Sequence, residues 1–339
     1  MAKDSKAIEF ANVVVRFGEK VLLDHFDEIV MPSFLEGNER SYSDTRYFFQ
    51  MADLVHYGED EYGMPVLAIV GRFIKDGVLR RQQVYEQGEL QQKPGKMKSS
   101  PSALFMLLLH NHRLIYVKET PDAPSMETFR TTLLAFLKRT HGKIRRDKFK
   151  EIDKAEPKLS GRRKKKDRFD EDYQTPTVQL IPLSSPDDIR SFVERYKILR
   201  QVKFTFAETN DENPLHDMFA QMRAAKEAVG ADTSSLIHGA KDGLDKKQAI
   251  TQISEATEQG LNEVQLRGID AEGDSLSGNT EEFKLKKSIG NISTKPIDAG
   301  STMLKVFNDL KDDGMITLGK IAPKTVKRIQ EICREYFAE

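Results

Sequence analysis

Residues 102–125 read SALFMLLLHNHRLIYVKETPDAPS, and the fold class follows from how this stretch divides. Leu104–Leu109 and Leu114–Lys118 are two apolar runs of strand length separated by the turn-forming Asn111 with His112 and Arg113, which predicts a β-hairpin. Pro121 and Pro124 end the second strand. Ser125 is placed to cap a helix through its hydroxyl, and Glu127 falls in the first turn, where the helix dipole favours an acid. Phe129, Leu133, Leu134, Phe136 and Leu137 then recur at helical spacing. A hairpin that runs directly into an amphipathic helix predicts an α+β fold.

Working outward, Ile8–Phe17 (IEFANVVVRF) is rich in β-branched and aromatic residues and stops at Gly18, as a strand would. Val66–Ile74 predicts another, turning at Asp76-Gly77 into Val78–Tyr85. These elements define an expected first α+β domain over residues 1–147. Residues 148–176 hold few apolar side chains and cannot offset the entropy of ordering, so a basic linker or arm is expected there. The expected second domain, 177–339, opens with a strand at Val178–Leu183, a helix from Pro186 to about Leu199 and a strand at Val202–Phe206. Helices follow at Met218–Val229 and Gln248–Glu258. Asn262–Gly268 and Thr280–Ile289 alternate polar and apolar residues as a hairpin would, and Ser301–Leu310 and Lys324–Phe337 read as closing helices. The expectation is two α+β domains with mixed or antiparallel sheets flanked by helices.

The length of 339 residues suits two such domains. The 53 basic residues balance the 53 acidic ones, which excludes a uniformly basic binder. The balance is not local. Met1–Tyr62 carries thirteen acids against six bases, and Arg139–Arg168 carries fourteen bases against five acids. Such segregation creates opposing fields within one molecule. The single cysteine, Cys333, excludes a disulfide framework. The longest apolar run, Ala103–Leu109, is far short of the ~20 residues of a membrane span. Lys3, Asp4 and Lys6 precede any apolar stretch, unlike a secretory signal, so a cytoplasmic protein is expected.

No Gly-rich turn followed by Lys-Ser/Thr is present, which argues against a nucleotide-hydrolysing engine. His110 and His112 form an H-x-H pair with no further ligand nominated nearby. Cys333 shares a helix face with Ile329 and Phe337 and reads as a small core residue. No cofactor and no resident metal are expected. An alternative class, a metal-dependent nuclease, would use Asp270, Asp274, Glu282 and Lys284, although their alternation with Phe283 and Leu285 is also that of a half-buried strand.

The basic constellation carries the functional expectation. Arg139, Lys143, Arg145, Arg146 and Lys148 lead into Arg162, Arg163, Lys164, Lys165, Lys166 and Arg168. Arg72, Arg80 and Arg81 surround the first hairpin, and Lys284, Lys286 and Lys287 lie on a late strand. A cationic arm releases counterions from a phosphate backbone without reading sequence, so these residues are the expected contacts to double-stranded DNA. Their convergence in space is part of that expectation.

Three blocks also resemble, in order, the RexA-like phage-exclusion family and more distantly the KwaB proteins of Kiwa anti-phage systems. They are residues 102–125, TPTVQLIPLSSPDDI (175–189) and NEVQLRGIDAEGDSL (262–276). The resemblance implies a homodimeric DNA-binding protein that senses phage DNA or replication intermediates, with a membrane-protein effector as partner. It supplies no contact residue.

Overall fold

The computed structural model describes residues 6–155, 167–210 and 216–338. Along the chain, β1 (Lys6–Phe17) and the short β2 (Lys20–Val21) lead through a helical run into α1 (Met31–Leu35). Next come β3 (Glu39–Tyr42), β4 (Thr45–Glu59), β5 (Pro65–Glu86), β6 (Glu89–Ser99), β7 (Ser102–Leu108), β8 (Arg113–Lys118) and the long helix α2 (Met126–Ala155). The remainder contains β9 (Thr177–Pro182), α3 (Pro186–Glu194), β10 (Tyr196–Phe206), α4 (Asp217–Ala228), β11 (Ser235–Gly239) and α5 (Lys246–Thr257). It closes with β12 (Asn262–Asp270), β13 (Ser275–Asn279), β14 (Lys286–Ile289), α6 (Pro296–Asp312) and α7 (Pro323–Phe337).

The expected α+β class is observed, and the strand pairings among the described residues are antiparallel. The larger sheet is ordered β14-β1-β8-β7-β5-β4-β3, with β2 and β9 added on β1 and β6 on β5. The smaller sheet is ordered β11-β10-β12-β13. Strand β1 is apolar on both faces because both are covered, as its nearly continuous burial records. On one face, Phe34 of α1 and Phe129, Leu133, Phe136 and Leu137 of α2 pack with Phe49, Phe73 and Phe105, joined by Ile329 and Ile332 of α7. On the other, Met303, Phe307 and Leu310 of α6 cover Val70, Leu104, Met106 and Ile115. The helix spacing read from the sequence is therefore the α2 core stripe, and Ser125 caps it, its Oγ accepting from Thr128 N–H at 3.2 Å.

Three expectations are corrected. First, Asp76-Gly77 is not a turn: β5 runs straight through it, and the chain reverses at Gln87-Gly88, where both residues have positive φ (55° and 84°). Second, Asn262–Gly268 pairs with β13, not with residues 280–289; β14 leaves that sheet and pairs with β1 at Lys6↔Ile289 through Glu9↔Lys286. Third, the helix from Pro186 ends at Glu194, and Tyr196 already belongs to β10.

The partition at 148–176 is redrawn by the same pairings. Strand β9 pairs with β1 from Ala11↔Pro182 to Arg16↔Thr177, continuing the edge on which β14 lies. With α6 and α7 covering the larger sheet, the start and end of the expected second domain belong to the first. Among the described residues, the stretch from α3 to Phe283 builds its own core, with Ile189, Phe192, Phe219, Ile253 and Phe283 on one face of the smaller sheet. Helix α2 carries order through the start of the expected linker, and Phe169 near its end is buried, stacked on Tyr173 at 5.0 Å.

A polar seam joins the two sheets. Arg113, with no exposed surface, donates to Asn12 Oδ1 (2.7 Å) and to the carbonyls of Asn111 (2.9 Å) and Gln259 (3.1 Å). Asn12 Nδ2 donates to the Gly260 carbonyl at 3.2 Å, and Asn210 Nδ2 donates to the Val13 carbonyl at 3.0 Å.

Candidate nucleic-acid interface

Among the described residues, the cations singled out in the sequence do not form one surface. Arg72 is bidentate to Glu119 (2.7 and 3.1 Å) and also donates to the Thr294 carbonyl. Lys284 is only 12% exposed and sits between Glu9 (3.0 Å) and Glu281 (2.8 Å). Burial opposes its charge, but these hydrogen bonds and ion pairs outweigh burial and raise its pKa. Both residues hold elements together and are unavailable to a phosphate backbone. Lys286 and Lys287 are exposed on β14, at the opposite edge of β1 from β8 and four strands from β5, so the sheet order separates them from Arg80 and Arg81.

On α2, Arg139 donates to the Glu39 carbonyl (2.8 Å), and Lys143 and Lys148 pair with Glu36 (2.7 Å) and Glu151 (3.1 Å). Arg145 and Arg146 have no carboxylate partner among the described residues. Arg168 pairs with Glu171 at 2.6 Å. Arg162, Arg163, Lys164, Lys165 and Lys166 lie outside the described residues.

The β5–β6 ribbon is the feature that sequence reading missed, because its turn was placed eleven residues too early. Pairing with β4 ends at Asp76 and with β7 at Ile74; beyond that, β5 and β6 pair only with each other, from Gly77↔Ser99 to Glu86↔Glu89. At the usual rise this arm is roughly 30 Å long. Its tip is open, with Tyr85 and Leu90 72% and 63% exposed, and Met97 nearer the base is 63% exposed. Leu79↔Met97 and Tyr85↔Leu90 put these apolar side chains on one face, while Arg80↔Lys96 and Val78↔Lys98 share the other. Arg80 pairs with Asp44 at the base, and Lys93 pairs with Glu86. Arg81 donates to the Lys93 carbonyl at 3.3 Å. Arg81, Lys96 and Lys98 make no ion pair among the described residues.

The alternative nuclease set is not assembled. Asp270 Oδ1 accepts from Asp274 N–H at 2.8 Å and so closes its own turn, and Glu282 accepts from Asn279 N–H at 2.7 Å. Among the described residues no group of three or more His, Cys, Asp or Glu is placed to hold a metal ion.

At the β7–β8 turn His112 is buried and His110 is half-buried. Arg113 N–H donates to Asn111 Oδ1 at 3.2 Å, which turns the Asn111 amide nitrogen toward His110 Nε2 at 3.0 Å. The His110 ring therefore accepts at Nε2 and carries its proton on Nδ1. Burial, aided by Arg113 and Lys311 against Asp60, lowers its pKa to about 4; burial lowers that of His112 to about 3. Both are neutral near pH 7, too weakly basic to relay protons there. His110 lines a cleft of about 1190 Å³ between α6, α7 and the β4–β5 turn. Among the described residues no helix is long and apolar enough to cross a membrane.

No family model matches the chain, and no curated protein matches its sequence.

Proposed function

We propose that this protein binds double-stranded DNA without sequence preference, laying the β5–β6 ribbon along a groove of the duplex. The ribbon carries the reading. The major groove of B-DNA admits a two-stranded β-ribbon, and minor-groove binders pair basic contacts with apolar wedges. An arm that stands clear of the sheet, with Arg81, Lys96 and Lys98 without ion pairs beside exposed Leu90 and Met97, has both parts. Arg145 and Arg146 on α2 and the run Arg162–Lys166 add charge that tracks phosphates. The RexA-like order of blocks supports a place in prophage exclusion or anti-phage defence, as a homodimeric sensor of phage DNA working with a membrane-protein effector.

The test is a fluorescence-anisotropy titration of a 30-base-pair duplex across a salt series. Each phosphate contact contributes about 0.9 to the slope of log K against log salt. The triple variant R81Q/K96Q/K98Q should bind more weakly to all duplexes and lose about 2.7 from that slope. A triple variant with the wild-type slope would remove the ribbon from the interface.

A further inference from the structure

The smaller sheet presents a bare face that no sequence expectation used. Helices α3, α4 and α5 pack on one side, through Ile189, Phe192, Phe219 and Ile253. On the other, β12 alternates buried and exposed residues, so Glu263, Gln265 and Arg267 point to solvent. Lys203 lies opposite Gln265 and Ile237 in register, which extends the same face across β10 and β11.

A bulge shapes this face. Leu199 pairs with Gly268 and Gln201 with Arg267, so Arg200 is the extra residue of β10 with no partner on β12. Bulges re-aim side chains. Here the bulge puts Arg200 beside Arg267 in a groove of about 640 Å³ that Gln201, Ile237, Gly239 and Ser275 also line. Gly268 is required by the bulge, because a Cβ there would stand 2.2 Å from the Ile198 carbonyl oxygen. Arg200, Arg267 and Lys203 form no ion pair among the described residues. In the β12–β13 turn, Asp270 Oδ1 accepts from the Asp274 N–H at 2.8 Å. Like charges on adjacent strands repel unless an anion lies between them.

We propose that this groove binds a phosphoanhydride-bearing small molecule, whose oxygens are held by the guanidinium groups of Arg200 and Arg267. Paired guanidinium forks match phosphate oxygens in bidentate geometry, and Lys203 adds a point charge on the same face. The volume falls in the range of small-ligand clefts, roughly 300–1,000 Å³. The face has no aromatic side chain on which bases could stack, so it is not a single-strand platform. The surface is separate from the ribbon, and its occupancy does not depend on the duplex reading.

The experiment is calorimetric titration of the full chain with pyrophosphate, adenosine triphosphate and a ten-nucleotide oligothymidylate in separate arms. Pyrophosphate and the nucleotide should each saturate one site. R200Q and R267Q should each weaken both by about tenfold or more. R267K, which keeps the charge and loses the fork, should fall between, and all three exposed-site variants should melt like the wild type. R81Q/K96Q/K98Q should bind pyrophosphate normally, which keeps this result apart from the duplex titration. Absence of pyrophosphate binding, or wild-type affinity in R200Q, would overturn the proposal. Arginine-dependent binding of the oligothymidylate alone would overturn it too, assigning the groove to a nucleic-acid strand.

Discussion

His112 shows how one residue can set a pH limit on the whole fold. Its ring is buried without a hydrogen-bond partner, its φ is +55°, and its carbonyl accepts from Val13 N–H at 2.9 Å, so the backbone is fixed whatever the ring does. With His110 at about 4 and His112 at about 3, against an ordinary 6.5, the unfolded chain binds more protons than the folded one below pH 6.5. Their contribution to stability is therefore complete above that pH, is lost progressively as pH falls from 6.5 toward the folded values, and falls no further below them. Each group contributes a slope of about 1.4 kcal/mol per pH unit in that window. These two groups should contribute near twice that figure to the slope of denaturant melts between pH 6.5 and 4, on top of what His25 and His141 add, whose pKa values burial also lowers. H112N keeps a residue type that tolerates the left-handed backbone and should remove one proton's worth of slope. An unaltered slope in H112N would place the acid sensitivity elsewhere. At the same scale, residue type and position do not reveal that Arg72 faces Glu119 or that Lys284 faces Glu9, since both partners lie far along the chain.

At the scale of the element, the ribbon turns on a contest between two glycines. Asp76-Gly77 is the stronger hairpin signal by composition, yet Gly77 lies within β5. It is glycine there because β4 passes close: a Cβ would meet Thr45 Oγ1 at 2.9 Å. The reversal falls instead at Gln87-Gly88, a two-residue turn with positive φ at both positions, which suits the twist of the flanking strands. G88V forces a β-branched residue to φ near +84° and should unpair the ribbon end, while Q87N creates the favoured Asn-Gly pair. Amide exchange across residues 83–92 should speed up in G88V and slow in Q87N. Because nothing packs on the tip, both should melt within about 2 °C of the wild type. A large shift in G88V would mean that the tip is covered in solution. Elements with strong local signals were legible: β1, the β7–β8 hairpin and the α2 stripe stand where their patterns put them. Strands β3, β4, β6 and β11 carry no comparable alternation and were not.

Across the whole molecule, the unreadable part was which strands return to which sheet. A four-residue strand such as β14 has no pattern that distinguishes pairing with β1 from pairing with β12, and the choice is made by packing under α6. The consequence is that the smaller sheet hangs from the larger one through both of its ends and through the Arg113 seam. That seam can be tested from either side. N12L keeps the number and branching of side-chain heavy atoms but removes an acceptor from a buried cation and a donor from the Gly260 carbonyl. Hydrogen bonds to charged groups contribute about 1.5–3 kcal/mol, so N12L should cost roughly 3 kcal/mol. Gly260 has φ +61°, and a Cβ there would lie 2.7 Å from Leu183 Cδ2 and 3.0 Å from Asn12 Cβ, so G260A strains the same contact from the opposite face. Both variants loosen the join, and G260A also presses on Leu183 of the larger sheet's core. The expected calorimetric result is one transition in the wild type and two in N12L and G260A, with the smaller sheet melting first because its second face is bare. A single transition shifted as a whole in both variants would show instead that the two sheets melt as one unit, and that the seam contributes stability without setting their cooperativity.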